Sequence, residues 1–225
     1  MTAVSKFNSI AIVASVLLLS VVSFAAGPSA YDIVVMSATQ AFRSAVDGPN
    51  AAIPAAVMRK ARAIAIVPDA LNSDRMTIGT GILSTRAAGS TIWSPPAVFE
   101  YSGRIAPTLK DETVDLYLIA VTPNGVGYLT GDTEDGIYSE VIPPGPLGGD
   151  TRVRMDVDVL AYMRFGKFFA GVTISDWAIC PLSLANEALY GKKLAPKDIL
   201  VNRAHLSPAV EAWRDALSGY FKELR

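Results

Sequence analysis

The sequence predicts an α+β domain, with helices at both ends of the chain and a meandering antiparallel sheet between them. Three observations carry that prediction. Apolar residues recur at helical spacing before residue 62 and again after residue 182. Between those limits lie short β-type runs separated by Gly, Pro and Asn. Residues 152–163 alternate strictly, with Val153, Met155, Val157, Val159 and Ala161 set between Arg152, Arg154, Asp156 and Asp158, so one face is apolar and the other charged. A chain of 225 residues, 51% hydrophobic and 18% charged, is neither disordered nor collagen-like, and accommodates one compact domain.

The first 25 residues read as a signal peptide or an N-terminal anchor. Lys6 precedes an apolar run from Ile10 to Ala26, interrupted only by Ser15, Ser20 and Ser23, and Ser23-Phe24-Ala25 supplies the small residues that signal peptidase accepts. Cleavage after Ala25 leaves a single domain over 31–225. An uncleaved run of this length sits at the short end of what spans a bilayer. The one cysteine, Cys180, is far downstream, so no thiol is placed for lipoprotein acylation and no intramolecular disulfide can form.

Val34, Val35, Ala38, Ala41, Phe42 and Ala45 mark a first helix over 31–46, which Asp47-Gly48-Pro49-Asn50 stops. A shorter helix over 53–62 ends in Arg59, Lys60 and Arg62, where positive charge complements the helix dipole. The period then changes. Residues 63–67 form a strand closed by Pro68, followed by strands over 75–85, 90–93, 97–101 and 113–122, with turns at Ala88-Gly89, Pro95-Pro96 and Pro123-Asn124-Gly125. Phe165-Gly166-Lys167 is a hairpin turn into a strand over 168–175, where the sheet ends. Helical spacing returns with Ser183 as N-cap, Leu184, Ala188 and Leu189 as the stripe, and Gly191 at the C-cap. Ser207-Pro208 opens a last helix over 207–224, with Val210, Trp213, Leu217, Tyr220, Phe221 and Leu224 on its apolar side, which suits packing on the sheet.

Little in the sequence points to catalysis. No Gly-x-Ser-x-Gly elbow occurs. His205, the one imidazole, lies in a linker, and Cys180 follows Trp177-Ala178-Ile179 as a buried thiol would. The acidic run from Gly131 to Gly136 lacks EF-hand spacing, since Ile142 stands where the closing Glu belongs, and it reads as a solvated turn. Asp111, Glu112 and Asp115 read as a loop and strand start, and Gly145-Pro146-Leu147-Gly148-Gly149-Asp150 lacks the Lys-Ser/Thr of a P-loop. No metal site and no cofactor are expected. With 20 basic and 21 acidic residues there is no global field for gripping nucleic acid. Trp93, Trp177 and Trp213 read as core anchors. Arg59, Lys60 and Arg62, joined by Arg43, read either as an ordinary helix end or as a basic patch for anionic headgroups.

Several segments occur in an order that is informative as a whole. Lys60-Ala61-x-x-Ile64-Ala65-Ile66-Val67-Pro68, Thr80-Gly81-Ile82-Leu83 with Arg86, Trp93-Ser94-x-Pro96, Asp115-Leu116-Tyr117-Leu118 and Gly145-Pro146-Leu147-Gly148 are followed by Tyr162-Met163-Arg164-Phe165-Gly166-Lys167-Phe168-Phe169-Ala170-Gly171-Val172, then Ala185-Asn186-x-x-Leu189-Tyr190-Gly191 and Ile199-Leu200. Over about 52–200 this order resembles the SYLF domain family, whose members include bacterial exported proteins and eukaryotic actin-patch and phosphoinositide-binding proteins. Two stretches depart from the family pattern: the 75–89 region is poor in glycine, and Ile105-Ala106-Pro107-Thr108 stands in place of the usual Gln-x-Gly.

The resemblance implies a curved antiparallel sheet, a sandwich or partly open barrel, flanked by helices. It also implies binding of lipid or a membrane surface without catalysis. Its motif positions here are Trp93, Tyr162, Phe169, Gly171, Asn186, Tyr190 and Gly191. The expected mechanism places acyl chains in an apolar groove between sheet and helices, with Arg59, Lys60, Arg62 or Arg164 at the headgroup. The expected setting is periplasmic or extracellular, with the chain secreted or held to the membrane by its N-terminal segment. The alternatives are an envelope adaptor that binds another protein and an enzyme of unrecognised type; actin is not an expected partner of an exported chain.

Overall fold

The computed structural model describes residues 28–47, 52–106, 112–131, 137–138, 140–147, 157–201 and 206–224. The elements are α1 (Ala30–Val46), α2 (Ala55–Lys60), β1 (Ala63–Asn72), β2 (Thr77–Thr85), β3 (Ala97–Ala106), β4 (Glu112–Ala120), α3 (Pro123–Thr130), β5 (Ile137–Tyr138), β6 (Val159–Phe165), β7 (Phe168–Gly171), β8 (Thr173–Pro181), α4 (Ser183–Tyr190), α5 (Pro196–Val201) and α6 (Pro208–Glu223). The strands form one antiparallel sheet in the order β5-β8-β3-β2-β1-β4-β6-β7. The expected α+β class, with helices at both ends, is what the structure has.

The sheet curls because its two ends share a strand. β7 pairs with β6 at one end and runs through Val172 into β8, which pairs with β3 near the other. The segment 142–145 bridges the same gap, with Ile142 bonded to Ile174 on β8 and the Gly145 N–H donating to Ala161 on β6. Small side chains permit the tight curve: Ala63, Ala65, Ala70, Ala120 and Ala161 all lie in the apolar cluster inside it, beside Leu116, Ile174 and Trp177. Alternate residues of the same strands, Ile64, Ile66, Ile82, Tyr117 and Ile119, lie in a second cluster with α1 and α6. Strands buried on both faces lose the apolar-polar alternation, and β1 accordingly reads as a nearly continuous apolar run.

Helices α1 and α6 start side by side. The Ser29 hydroxyl caps α1 and forms a capping box with Asp32, and Ser207, the N-cap of α6, donates from its hydroxyl to the same Asp32 carboxylate at 2.7 Å. Further along, Phe42 packs edge-on against Trp213 and Tyr220. Trp213 donates to the Ser84 hydroxyl on β2 at 2.8 Å, and the Tyr117 hydroxyl on β4 donates to the Ala41 carbonyl at 3.1 Å, so both helices are tied to the sheet.

The structure corrects several boundaries. Pro68 does not close β1; the strand passes through it with a shift of register, Asp69 taking φ +50° while its N–H donates to the Asp115 carboxylate. Residues 90–93 are an irregular connection rather than a strand, because Ser94 folds back to bond Thr85 through both backbone and side chain. Pro123-Asn124-Gly125 is the first turn of α3, with Thr122 as N-cap and proline where a helix needs no N–H. The sheet continues beyond residue 175, since β8 runs to Pro181 against β3. Leu182, not Ser183, is the N-cap of α4. The second helix is shorter than 53–62, α5 was not foreseen, and Cys180 is exposed on β8 instead of buried. Residues 152–156, where the alternation is clearest, lie outside the described residues, as do His205, Asp111 and the segment 1–25. The tryptophans are core anchors as expected, each no more than 1% exposed.

Candidate functional site

Of the five cations singled out in the sequence, Arg59, Lys60 and Arg62 come together, while Arg43 is not among the residues lining their depression. α2 ends at Lys60, Ala61 turns the chain, and β1 begins at Ala63, so Arg59, Lys60 and Arg62 fall within one tight corner. All three line a depression of about 230 Å³, together with Arg86 from the end of β2, and no carboxylate is among its lining residues. Arg86 builds the corner. Its guanidinium donates to the carbonyls of Ala61 at 2.6 Å, Arg59 at 3.0 Å and Met58 at 3.3 Å, all at the C-terminal end of α2, and to Ser90 at 2.9 Å. The same group lies over the rings of Phe221, at 4.1 Å, and Trp93, at 5.1 Å. Burial, then repulsion from Arg62, pushes its pKa down, although a guanidinium stays charged at any physiological pH.

Arg164 is elsewhere. It stands on β6 opposite Asp115 and is bound to that carboxylate through both Nε and a terminal nitrogen, so its charge is neutralised within the sheet. Asp115 lies beside the β1 bulge, and Arg62 beside the other end of β1, roughly 17 Å away at the usual strand rise. The groove expected between sheet and helices is filled: Phe42, Ile66, Ile82, Tyr117, Trp213 and Leu217 occupy it as core.

The motif positions serve the architecture. Asn186 is fully buried on α4 and bonds both backbone groups of Val98 on β3. The Tyr190 hydroxyl donates to the Pro96 carbonyl, and Gly191 caps α4 in the left-handed region at φ +68°. Tyr162 faces Gly171 across the β6–β7 hairpin and touches the ring of Phe169. Gly145 lies against the Tyr162 ring so closely that an added Cβ would sit 2.0 Å from Cζ, and a Cβ on Gly171 would sit 2.2 Å from the Gly145 carbonyl oxygen. Trp93 is buried against Phe221. Sequence reasoning placed Arg86 in a motif but not in the site; what singles it out is its position opposite the end of α2, which only the fold reveals.

Among the described residues there is no group of three or more His, Cys, Asp or Glu side chains able to hold a metal ion. No described helix is long and apolar enough to cross a membrane.

A curled antiparallel sheet with terminal helices and motif residues at its corners is the arrangement that the resemblance to SYLF domains implies, and sequence comparison supports that resemblance. The family model described as Ysc84, Las17-binding protein actin regulator, matches residues 119–220. LAS seventeen-binding protein 3 of Saccharomyces cerevisiae is 28% identical over 178 residues, covering 74% of this chain and 38% of that protein. Protein YSC84 of the same organism is 27% identical over 178 residues, with 74% and 37% covered. The chain is similar to the SYLF family on these matches. It spans about two fifths of the length of these curated relatives. No solved structure matches it significantly.

Proposed function

We propose that this protein binds anionic lipid surfaces without catalysis, through the corner formed by Arg59, Lys60 and Arg62 around Arg86, and that it does so as an exported protein of the cell envelope. The observation that supports the reading is the single depression lined by four cations and no carboxylate. A cation near an anionic membrane surface contributes about 1 kcal/mol, so a cluster of this size gives weak, reversible and salt-sensitive attachment. Arg86 is engaged with α2 and acts as the organiser; Arg59 and Lys60 are exposed and make the contact. Export rests on the reading of residues 1–25 as a targeting segment.

The test is co-sedimentation of the full chain with anionic vesicles beside the Arg59→Glu, Lys60→Glu, Arg62→Glu triple variant. The comparison cancels any contribution of the apolar N-terminal segment. Loss of most of the bound fraction in the variant supports the reading; equal binding of the two chains refutes it.

A second reading, binding of another protein, is supported by the names of the matching family, Las17-binding protein actin regulator, and of LAS seventeen-binding protein 3. The matched segment 119–220 leaves out Arg59, Lys60, Arg62 and Arg86 and contains α3, β5, β6, β7, β8, α4, α5 and most of α6, so this reading looks for a partner on those elements.

A further inference from the structure

Arg86 stands among like charges: Arg62 repels it, and Arg59 and Lys60 line the same depression. Its guanidinium is nonetheless held from two directions. On one side are the carbonyls at the end of α2, and on the other the ring of Phe221, whose centroid lies 4.1 Å from the guanidinium carbon, with that of Trp93 at 5.1 Å. The Arg86 backbone N–H also donates to the Arg62 carbonyl at 2.8 Å. Any displacement of Arg86 is therefore passed to Arg59 and Arg62.

Phe221 comes from the last turn of α6. That helix grips the end of β2 at two points on one apolar stripe: Trp213 donates to the Ser84 hydroxyl at 2.8 Å, and Phe221, two turns further on, lies against Arg86. Phe221 is 2% exposed and packs on Trp93 with ring centroids 5.0 Å apart, so the face it offers the guanidinium is desolvated, where a cation–π contact is strongest. An aliphatic side chain would fill the space without a negative ring face. We propose that Phe221 is a positioning residue for the cationic corner: its ring holds Arg86, Arg86 holds the end of α2, and the surface of Arg59, Lys60 and Arg62 is assembled only while α6 is docked. This deepens the surface-binding reading and rests on it.

The test compares the ¹⁵N-labelled full chain with Phe221→Leu and with a chain carrying a trifluorinated phenylalanine at 221, a nearly isosteric change that withdraws charge from the ring face. Two protons are followed by their exchange with water: Arg86 Nε–H, assigned by its loss in Arg86→Lys, and the Trp213 indole N–H, assigned by its loss in Trp213→Phe. In both variants Arg86 Nε–H is expected to exchange about tenfold faster while Trp213, still bonded to Ser84, keeps its protection. The salt-sensitive part of binding to phosphatidylserine vesicles is expected to weaken about threefold or more. Unchanged exchange at Arg86, or equal loss of protection at Arg86 and Trp213, overturns the positioning role. Unchanged vesicle binding in the Phe221 variants, where the Arg59→Glu, Lys60→Glu, Arg62→Glu triple variant loses it, overturns the proposal and leaves the surface reading standing. Equal binding by the triple variant and the parent removes both.

Discussion

Asn186 satisfies Val98 completely: its side-chain oxygen accepts the Val98 N–H at 2.8 Å and its amide donates to the Val98 carbonyl at 3.0 Å, while also reaching the Leu182 carbonyl at 3.0 Å. One buried amide thereby joins the start of β3 to the start of α4, 88 residues apart.

Removing that amide leaves a buried N–H unpaired, at a cost of about 1–3 kcal/mol in addition to the cavity. Asn186→Ala should therefore lower stability by roughly 3 kcal/mol, read by urea denaturation. Asn186→Asp is more diagnostic. It keeps the acceptor for Val98 but turns a carboxylate toward two carbonyls, which raises its pKa in the folded state. The destabilisation should be greatest at neutral pH and should shrink as pH falls through that raised value. A pH-independent deficit would contradict the bonding described.

Gly145 is fixed by closeness. The Tyr162 ring and Gly171 leave no room for a side chain, and the Tyr162 phenol, pushed up in pKa by burial, stays neutral in the interface. Gly145→Ala should cost roughly 2–3 kcal/mol as an overpacked site, seen as a lower melting temperature. An added relaxing change, Tyr162→Leu, should recover part of the loss, whereas additive effects would place the glycine's constraint elsewhere.

Asp32 gives a pH dependence. Burial alone would raise its pKa, but hydrogen bonds from Ser207 and Ser29 outweigh it and hold the carboxyl below its ordinary 3.8. A depressed pKa in the folded state means stability that is present above the unfolded value and lost as pH falls through the folded one. Asp32→Asn should thus be less stable than the parent at pH 7, with the gap closing as acid protonates Asp32. Ser207→Ala should show the same closing gap, because it removes one of the two hydroxyls that lower the pKa.

The fold class was legible because helical and strand periods occupy separate parts of the chain, and because Ser207 and Gly191 carry their capping chemistry in the sequence. What escaped prediction depends on distant partners. A proline inside β1 is tolerated only because a bulge stands there and Asp115 receives the freed Asp69 N–H. Pro123-Gly125 looks like a turn until Thr122 is recognised as a cap. The cationic corner was half visible: Arg59, Lys60 and Arg62 are neighbours in sequence, while Arg86 joins them only through its bonds to the end of α2. Arg164 looked equivalent because its counter-ion, Asp115, is 49 residues away.

The organiser role of Arg86 separates it from the cations that meet lipid. Arg86→Met should unfasten the end of α2 and reduce stability by about 2 kcal/mol, through loss of charge-assisted hydrogen bonds. Arg59→Gln and Lys60→Gln should leave stability within about 0.5 kcal/mol of the parent, as exposed substitutions do. Equal melting temperatures for all three variants would contradict the division of roles.

The most direct measurement is the salt dependence of vesicle binding by residues 28–225, which retain the Ser29 cap and omit the apolar N-terminal segment. The cationic corner predicts binding to vesicles containing phosphatidylserine that falls steeply as salt rises, with little binding to neutral phosphatidylcholine vesicles. Equal binding to both vesicle types, or binding to the anionic vesicles that does not change with salt, would contradict it.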